Sequence, residues 1–332
     1  MICRLFSIWT EEDRGKKEME NLIFSLNATI PIFLMMLAGL LFRKMGLFND
    51  NFVEKMNQFV FKAALPVLLF QDLSQEDFAT AWDGGFVGFC FLATTGCILL
   101  SVALSFFMKK RELQGEFVQA SYRSSAAILG IAFIQNIYGN SGMAPLMIIG
   151  TVPLYNVMAV LVLSLMKPER EKLSRETLQK TGKGIVTNPI ILGIAAGLLW
   201  ALLKLPQPVI MEKTVKNIAV LATPLGLMAM GASFEWKKAF AMVKPALACS
   251  ALKLVGFAAV LLPAAVGLGF RNEALVAILV MAGSATTVSC FVMARNMGHE
   301  GILTSSVVMM TTFLSAFTLT GWLFILKTLA LI

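Results

Sequence analysis

The feature that most restricts this chain is a set of long, mainly apolar runs, such as 86–108 and 252–270. A helix of about 20 apolar residues crosses a hydrocarbon layer of ~30 Å. Inside that layer no water can pair with backbone N–H and C=O groups, so a spanning segment must satisfy them itself. The runs lack strand-like alternation, which excludes a membrane barrel and leaves helices. Composition agrees. Of 332 residues, 57% are hydrophobic and 14% charged, against ~25% charge in ordinary soluble domains. The expected fold class is all-α integral membrane.

Ten spans can be delimited: 22–42, 53–73, 84–108, 117–138, 143–166, 187–205, 212–233, 241–268, 272–295 and 302–330. Arg43, Lys44, Lys109, Lys110, Arg111, Lys167, Arg170, Lys237 and Lys238 fall on alternate links. The region after the second span holds Asp72, Glu76, Asp77 and Asp83 without Lys or Arg. The positive-inside rule then places the middle loop in the cytoplasm and both termini outside a cell (plasma) membrane. The tail 1–21 runs against this with Arg4, Arg14, Lys16 and Lys17, and translation from Met19 would remove the conflict. The net charge of +8 is read as cytoplasmic Lys and Arg, with no nucleic-acid partner.

The chain also repeats itself. Pro31, Ile32, Leu34, Ala38, Gly39, Leu40 and Leu41 recur as Pro189, Ile190, Leu192, Ala196, Gly197, Leu198 and Leu199, an offset of 158 that Pro66 and Pro224 share. Ser125-Ala126, Gly139 and Gly142 recur as Ser284-Ala285, Gly298 and Gly301, at an offset of 159. The chain divides accordingly into a tail (1–21), a first five-helix repeat (22–166), a cytoplasmic loop (167–186) and a second repeat (187–332). An odd number of spans per unit forces the second copy to lie upside down in the membrane. Such inverted repeats are a recurring transporter architecture.

Asn188-Pro189-Ile190-Ile191-Leu192-Gly193 resembles the auxin efflux carrier (PIN-like) family. So do Ala222-Thr223-Pro224-Leu225-Gly226-Leu227 running into Gly231-Ala232-Ser233, and the stretch from Arg123 to Gly139. The resemblance covers the chain from about residue 22. It implies alternating access, helices four and nine broken where they cross at the substrate site, organic-anion substrates such as malate, malonate or auxin, and a homodimer. The family's crossing helices carry proline, whereas 117–138 and 272–295 contain none. Glycine can also unwind a helix, so breaks are expected at Gly130 and Gly283.

Ionisable residues inside a bilayer are costly and mark function by default. Lys62, Arg123 and Lys253 qualify, and by these span limits no Asp or Glu lies comparably deep. Buried positive charge favours an anionic solute. Lys62 continues a stripe with Glu54 and Gln58 and is read as snorkelling to the interface. Arg123 either snorkels or offers a guanidinium to a carboxylate. Lys253 is too central to snorkel. Polar groups cluster at repeat-related positions, with Asn156 in the fifth span as a further member. The expected substrate-binding set is Arg123, Ser124, Ser125, Gly130, Gln135, Asn136, Lys253, Gly283, Ser284, Thr286 and Thr287. With one histidine, His299, and no Walker, G-x-G-x-x-G or C-x-x-C motif, no enzyme, metal site or cofactor is expected. Two rival readings are a sodium-coupled symporter of the bile-acid type and a receptor that binds without transport.

Overall fold

The computed structural model describes residues 30–75, 83–126, 134, 137, 138, 142–168 and 182–332, and among these it is helical without any strand. Eleven helices carry the argument. They are α1 (30–44), α2 (Asp50–Phe59, a π-turn Val60–Ala64, then Leu65–Ser74), α3 (Gly84–Ser105) and α4 (Gln114–Tyr122). Next come α5 (Ala144–Leu165), α6 (Pro189–Leu202) and α7 (Val209–Ala219 with Ala222–Ala232). α8 is Val243–Ala251, a π-turn Leu252–Gly256 and Phe257–Gly267; α9 is Asn272–Gly283, α10 Ser289–Asn296 and α11 Ile302–Thr328.

Among the described residues, α3, α5, α7, α8 and α11 are long and apolar enough to cross a membrane, and α6 and α9 are shorter apolar helices. Several of the ten expected spans are therefore not single long helices. The ninth, 272–295, is divided into α9 and α10, and α4 covers only the start of the fourth.

Local sequence explains where helices begin. Asn49, Asp83 and Asn188 each accept a hydrogen bond from the N–H of the first turn, at 2.8, 3.0 and 2.9 Å, satisfying donors that a helix start leaves open. Pro189 follows Asn188 at a position where the missing N–H costs nothing.

Burial separates two kinds of helix. Every residue of α4 and every residue of α9 from Leu275 onward is buried, so both are enclosed by protein. α3, by contrast, presents Leu92 (70% exposed) and Leu99 to the outside, and Phe107 and Ile210 are exposed elsewhere. A surface carrying so many large apolar side chains suits lipid rather than water.

Glycine sets the closest helix contacts. A Cβ on Gly39 would collide with the backbone of Met228 in α7, and one on Gly231 with the backbone of Met36 in α1. A Cβ on Gly193 would stand 2.5 Å from the carbonyl oxygen of Pro66, and one on Gly197 3.0 Å from that of Phe70. Small residues that let backbones touch are the usual means of packing membrane helices, where dispersion replaces the hydrophobic effect. Gly39 and Gly197 occupy equivalent places in the sequence repeat, and each brings its helix against the other unit. Gly231→Ala should therefore destabilise by about 1–3 kcal/mol. Gly321→Ala has nothing within 4 Å of the added atom and should be neutral or stabilising by up to about 1 kcal/mol. Thermal unfolding in detergent distinguishes them, and equal melting of the two variants would refute the backbone contact.

Candidate functional site

Two interrupted helices meet at the centre of the molecule. The N–H of Arg123 closes the last turn of α4 on Gln119 O at 3.2 Å, and then the chain extends, with Arg123 ψ at 134°. Ser125 N–H forgoes its helical acceptor and donates across to Ala285 O at 2.9 Å. α9 ends at Gly283, Ser284 is extended with ψ at 166°, and helix resumes at Ser289. The fourth helix thus breaks at Arg123, where the N–H of Ser125 pairs with the opposite break. Gly130, Gln135 and Asn136 lie outside the described residues.

Lys253 binds the two breaks together. The π-turn of α8 carries it, and its ammonium donates to Ser124 Oγ at 2.5 Å, Ala282 O at 2.9 Å and Met281 O at 3.2 Å. An ammonium has three N–H donors, so all are engaged. Its charge also sits at the C-terminal, partially negative end of α9. Ser124 Oγ donates in turn to Met281 O. Thr286 Oγ1 donates to Ala120 O at 2.9 Å, its N–H goes to Thr311 Oγ1 at 3.0 Å, and Gln119 Nε2 donates to Cys290 O at 2.9 Å. The carbonyls a broken helix exposes are thereby met by side chains.

Arg123 stands on the other side of this knot, beside a cavity of about 170 Å³. It is 1% exposed, which removes the snorkelling alternative. One Nη donates to Asn156 Oδ1 at 2.6 Å and Ser289 Oγ at 2.8 Å, the other to Met293 Sδ at 2.9 Å, and the Tyr155 ring lies 5.4 Å away. No carboxylate pairs with Arg123 or Lys253 among the described residues, and Arg123 Nε is buried without a partner.

Arg123, Ser124, Ser125, Thr286 and Thr287 all line this cavity. Lys253 does not; it borders a gap of about 10 Å³ behind Ser124. Gly283 and Ser284 also stand back from the larger cavity, and Ser284 Oγ is buried without a partner. The lining adds Asp72, Tyr155, Asn156, Thr223 and Ser289. Asp72 escaped sequence reasoning because it falls at the end of its span among other acids. Tyr155 escaped because an aromatic in an apolar run carries no signal. Lys62 is exposed on α2, as the snorkelling reading expects.

A wider vestibule of about 790 Å³ lies on the side of Arg43 and Lys44, also bordered by Asn57, Glu54, Arg295 and Asn296. Val60, Val288 and Val292 surround Gly226, and Val288 and Val292 also line the smaller cavity; a Cβ on that glycine would meet Val288 at 3.2 Å and Val292 at 3.4 Å.

Sequence reasoning also left out a buried acid, Glu116, which is 1% exposed. It sits one residue outside the limit drawn for the fourth span. Its two carboxylate oxygens accept from Gly301 N at 2.8 Å and from Thr304 N and Oγ1 at 2.9 and 2.7 Å. Glu116 is thus the N-terminal cap of α11, whose own N-cap, Gly301, has no side chain and a φ of 73°. Glu116→Ala should lower stability by about 2 kcal/mol or more, because it strands three donors at a buried helix start. Thermal unfolding checks this, and an unchanged melting temperature would show the cap to be dispensable.

Comparison with curated proteins gives no match. A family model described as membrane transport protein matches residues 24–323, taking in every described helix up to most of α11. The chain is a multi-pass membrane protein and a transporter, and it belongs to this membrane transport protein family, that of the auxin efflux carriers (PIN-like).

Proposed function

We propose that the protein carries a small organic anion, a carboxylate, across the cell membrane by alternating access, with Arg123 receiving the carboxylate group. The observation that carries this reading is the state of Arg123: buried, without a carboxylate partner among the described residues, and on the wall of a cavity. A guanidinium held in a membrane interior is costly unless a counter-charge arrives, and planar carboxylates match its donors. The neighbouring hydroxyls of Ser125, Thr287 and Ser289 would complete the shell.

In this reading residues 22–166 and 187–332 are inverted repeats. Two observations support it. Ser125 and Ser284, repeat-equivalent in sequence, both lie in helix breaks, and Gly39 and Gly197 make corresponding contacts. The positive-inside rule puts both termini outside and opens the vestibule beside Arg43 and Lys44 to the cytoplasm. Val60, Val288 and Val292 then form the barrier on that side, and their parting would join vestibule to cavity. Assembly as a homodimer belongs to the same reading through the family resemblance.

The test is uptake of radiolabelled malate, malonate, succinate and indole-3-acetate into proteoliposomes. Saturable flux is expected, with Arg123→Ala raising KM about 10–100-fold, the worth of a charged hydrogen bond. Saturable flux that Arg123→Ala leaves untouched would place the solute elsewhere.

A further inference from the structure

Asp72 is left over once Arg123 is assigned. It belongs to the Leu65–Ser74 segment of α2 and lines the same cavity of about 170 Å³. Among the described residues no Lys or Arg pairs with it, Arg123 included. One cavity therefore has a guanidinium and a carboxylate in its walls, each without an opposite charge. The remaining lining is neutral: hydroxyls, the Asn156 amide and apolar side chains such as Leu68 and Val152.

Arg123 is buried and Asp72 half-buried near the end of α2, and each unpaired charge carries a desolvation cost. Direct pairing would relieve both, yet the protein keeps them apart. A bare carboxylate bound to Arg123 would leave Asp72 uncompensated and would be repelled by it. A dicarboxylate would set its second group against Asp72, which two like charges tolerate only by sharing a proton.

We propose that the solute is a zwitterion, a short amino acid whose carboxylate meets Arg123 and whose ammonium meets Asp72. This rests on the preceding reading that Arg123 takes a carboxylate, and it replaces a net anion by a carboxylate whose own ammonium balances its charge. The size is suitable: an engineered cavity of about 150 Å³ holds benzene, so this one suits a solute of roughly six to eight non-hydrogen atoms.

The experiment compares proteoliposome uptake of glycine, β-alanine and 4-aminobutyrate with that of acetate, propionate, butyrate and succinate. Wild type, Asp72→Asn and Arg123→Ala are run in parallel. At least one amino acid should be preferred about tenfold over its counterpart lacking the amino group, as expected for one charged hydrogen bond. The preferred chain length reads the separation of the two walls. Asp72→Asn should bring that preference to about one, and Arg123→Ala should raise KM for both classes about 10–100-fold. Arg123-dependent uptake in which the plain carboxylates do as well or better overturns the zwitterion and leaves the carboxylate reading standing. The zwitterion is equally overturned if an amino-acid preference survives Asp72→Asn, or if that variant alters only the response to a pH gradient. Absence of uptake for either class overturns both readings. The wild-type ratio decides even if Asp72→Asn does not fold.

Discussion

A helix that stops halfway through a bilayer leaves carbonyls that water cannot reach, and the centre of this protein is organised around that difficulty. α4 and α9 both end in the interior. Their last carbonyls are met by Lys253 and by the hydroxyls of Ser124 and Thr286, while Ser125 N–H is met by Ala285 O. The breaks satisfy each other, and each depends on its opposite being in place. α4 and α9 are enclosed on all sides because a polar junction of this kind survives only where lipid is excluded.

The same junction explains why two cations of equal charge have different work. Lys253 has all its donors on protein oxygens and faces a gap of about 10 Å³. It is a fixture. Arg123, next to Ser124 in the chain, is held by neutral groups and a sulfur on the wall of the larger cavity, and its buried Nε donor remains unmatched. A planar guanidinium can be anchored by some of its donors while offering others. An ammonium wrapped in carbonyls cannot.

Much of this is legible in the chain itself. Apolar runs announce the membrane, and the short motifs announce the family, because both are written in local composition. Arg123, Ser124, Ser125, Thr286 and Thr287 can be gathered because they cluster in two segments of the repeat. The rest depends on tertiary facts. Propensity points to Gly130, whereas the break at Arg123 goes with a backbone bond from Ser125 to Ala285, which only the tertiary structure supplies. Glu116 looks like an interfacial acid, since nothing in its neighbourhood of sequence reveals that Gly301 and Thr304 need a cap. Depth singles out Lys253, but depth alone does not say whether a charge faces a solute or a helix end.

The π-turn Leu252–Gly256 gives the junction an unusual kind of dependence. A π-turn is in effect an α-helix carrying one surplus residue, and each residue rotates a helix by about 100° while lengthening it ~1.5 Å. Losing a single residue there would close the turn to ordinary α-helix and leave both halves of α8 in place, yet rotate the residues inside the turn, Lys253 among them. Lys253 would then no longer be presented to α9 together with the rest of its helix. The aim of that ammonium is a matter of register more than of composition, so a deletion of one codon could undo what few substitutions would.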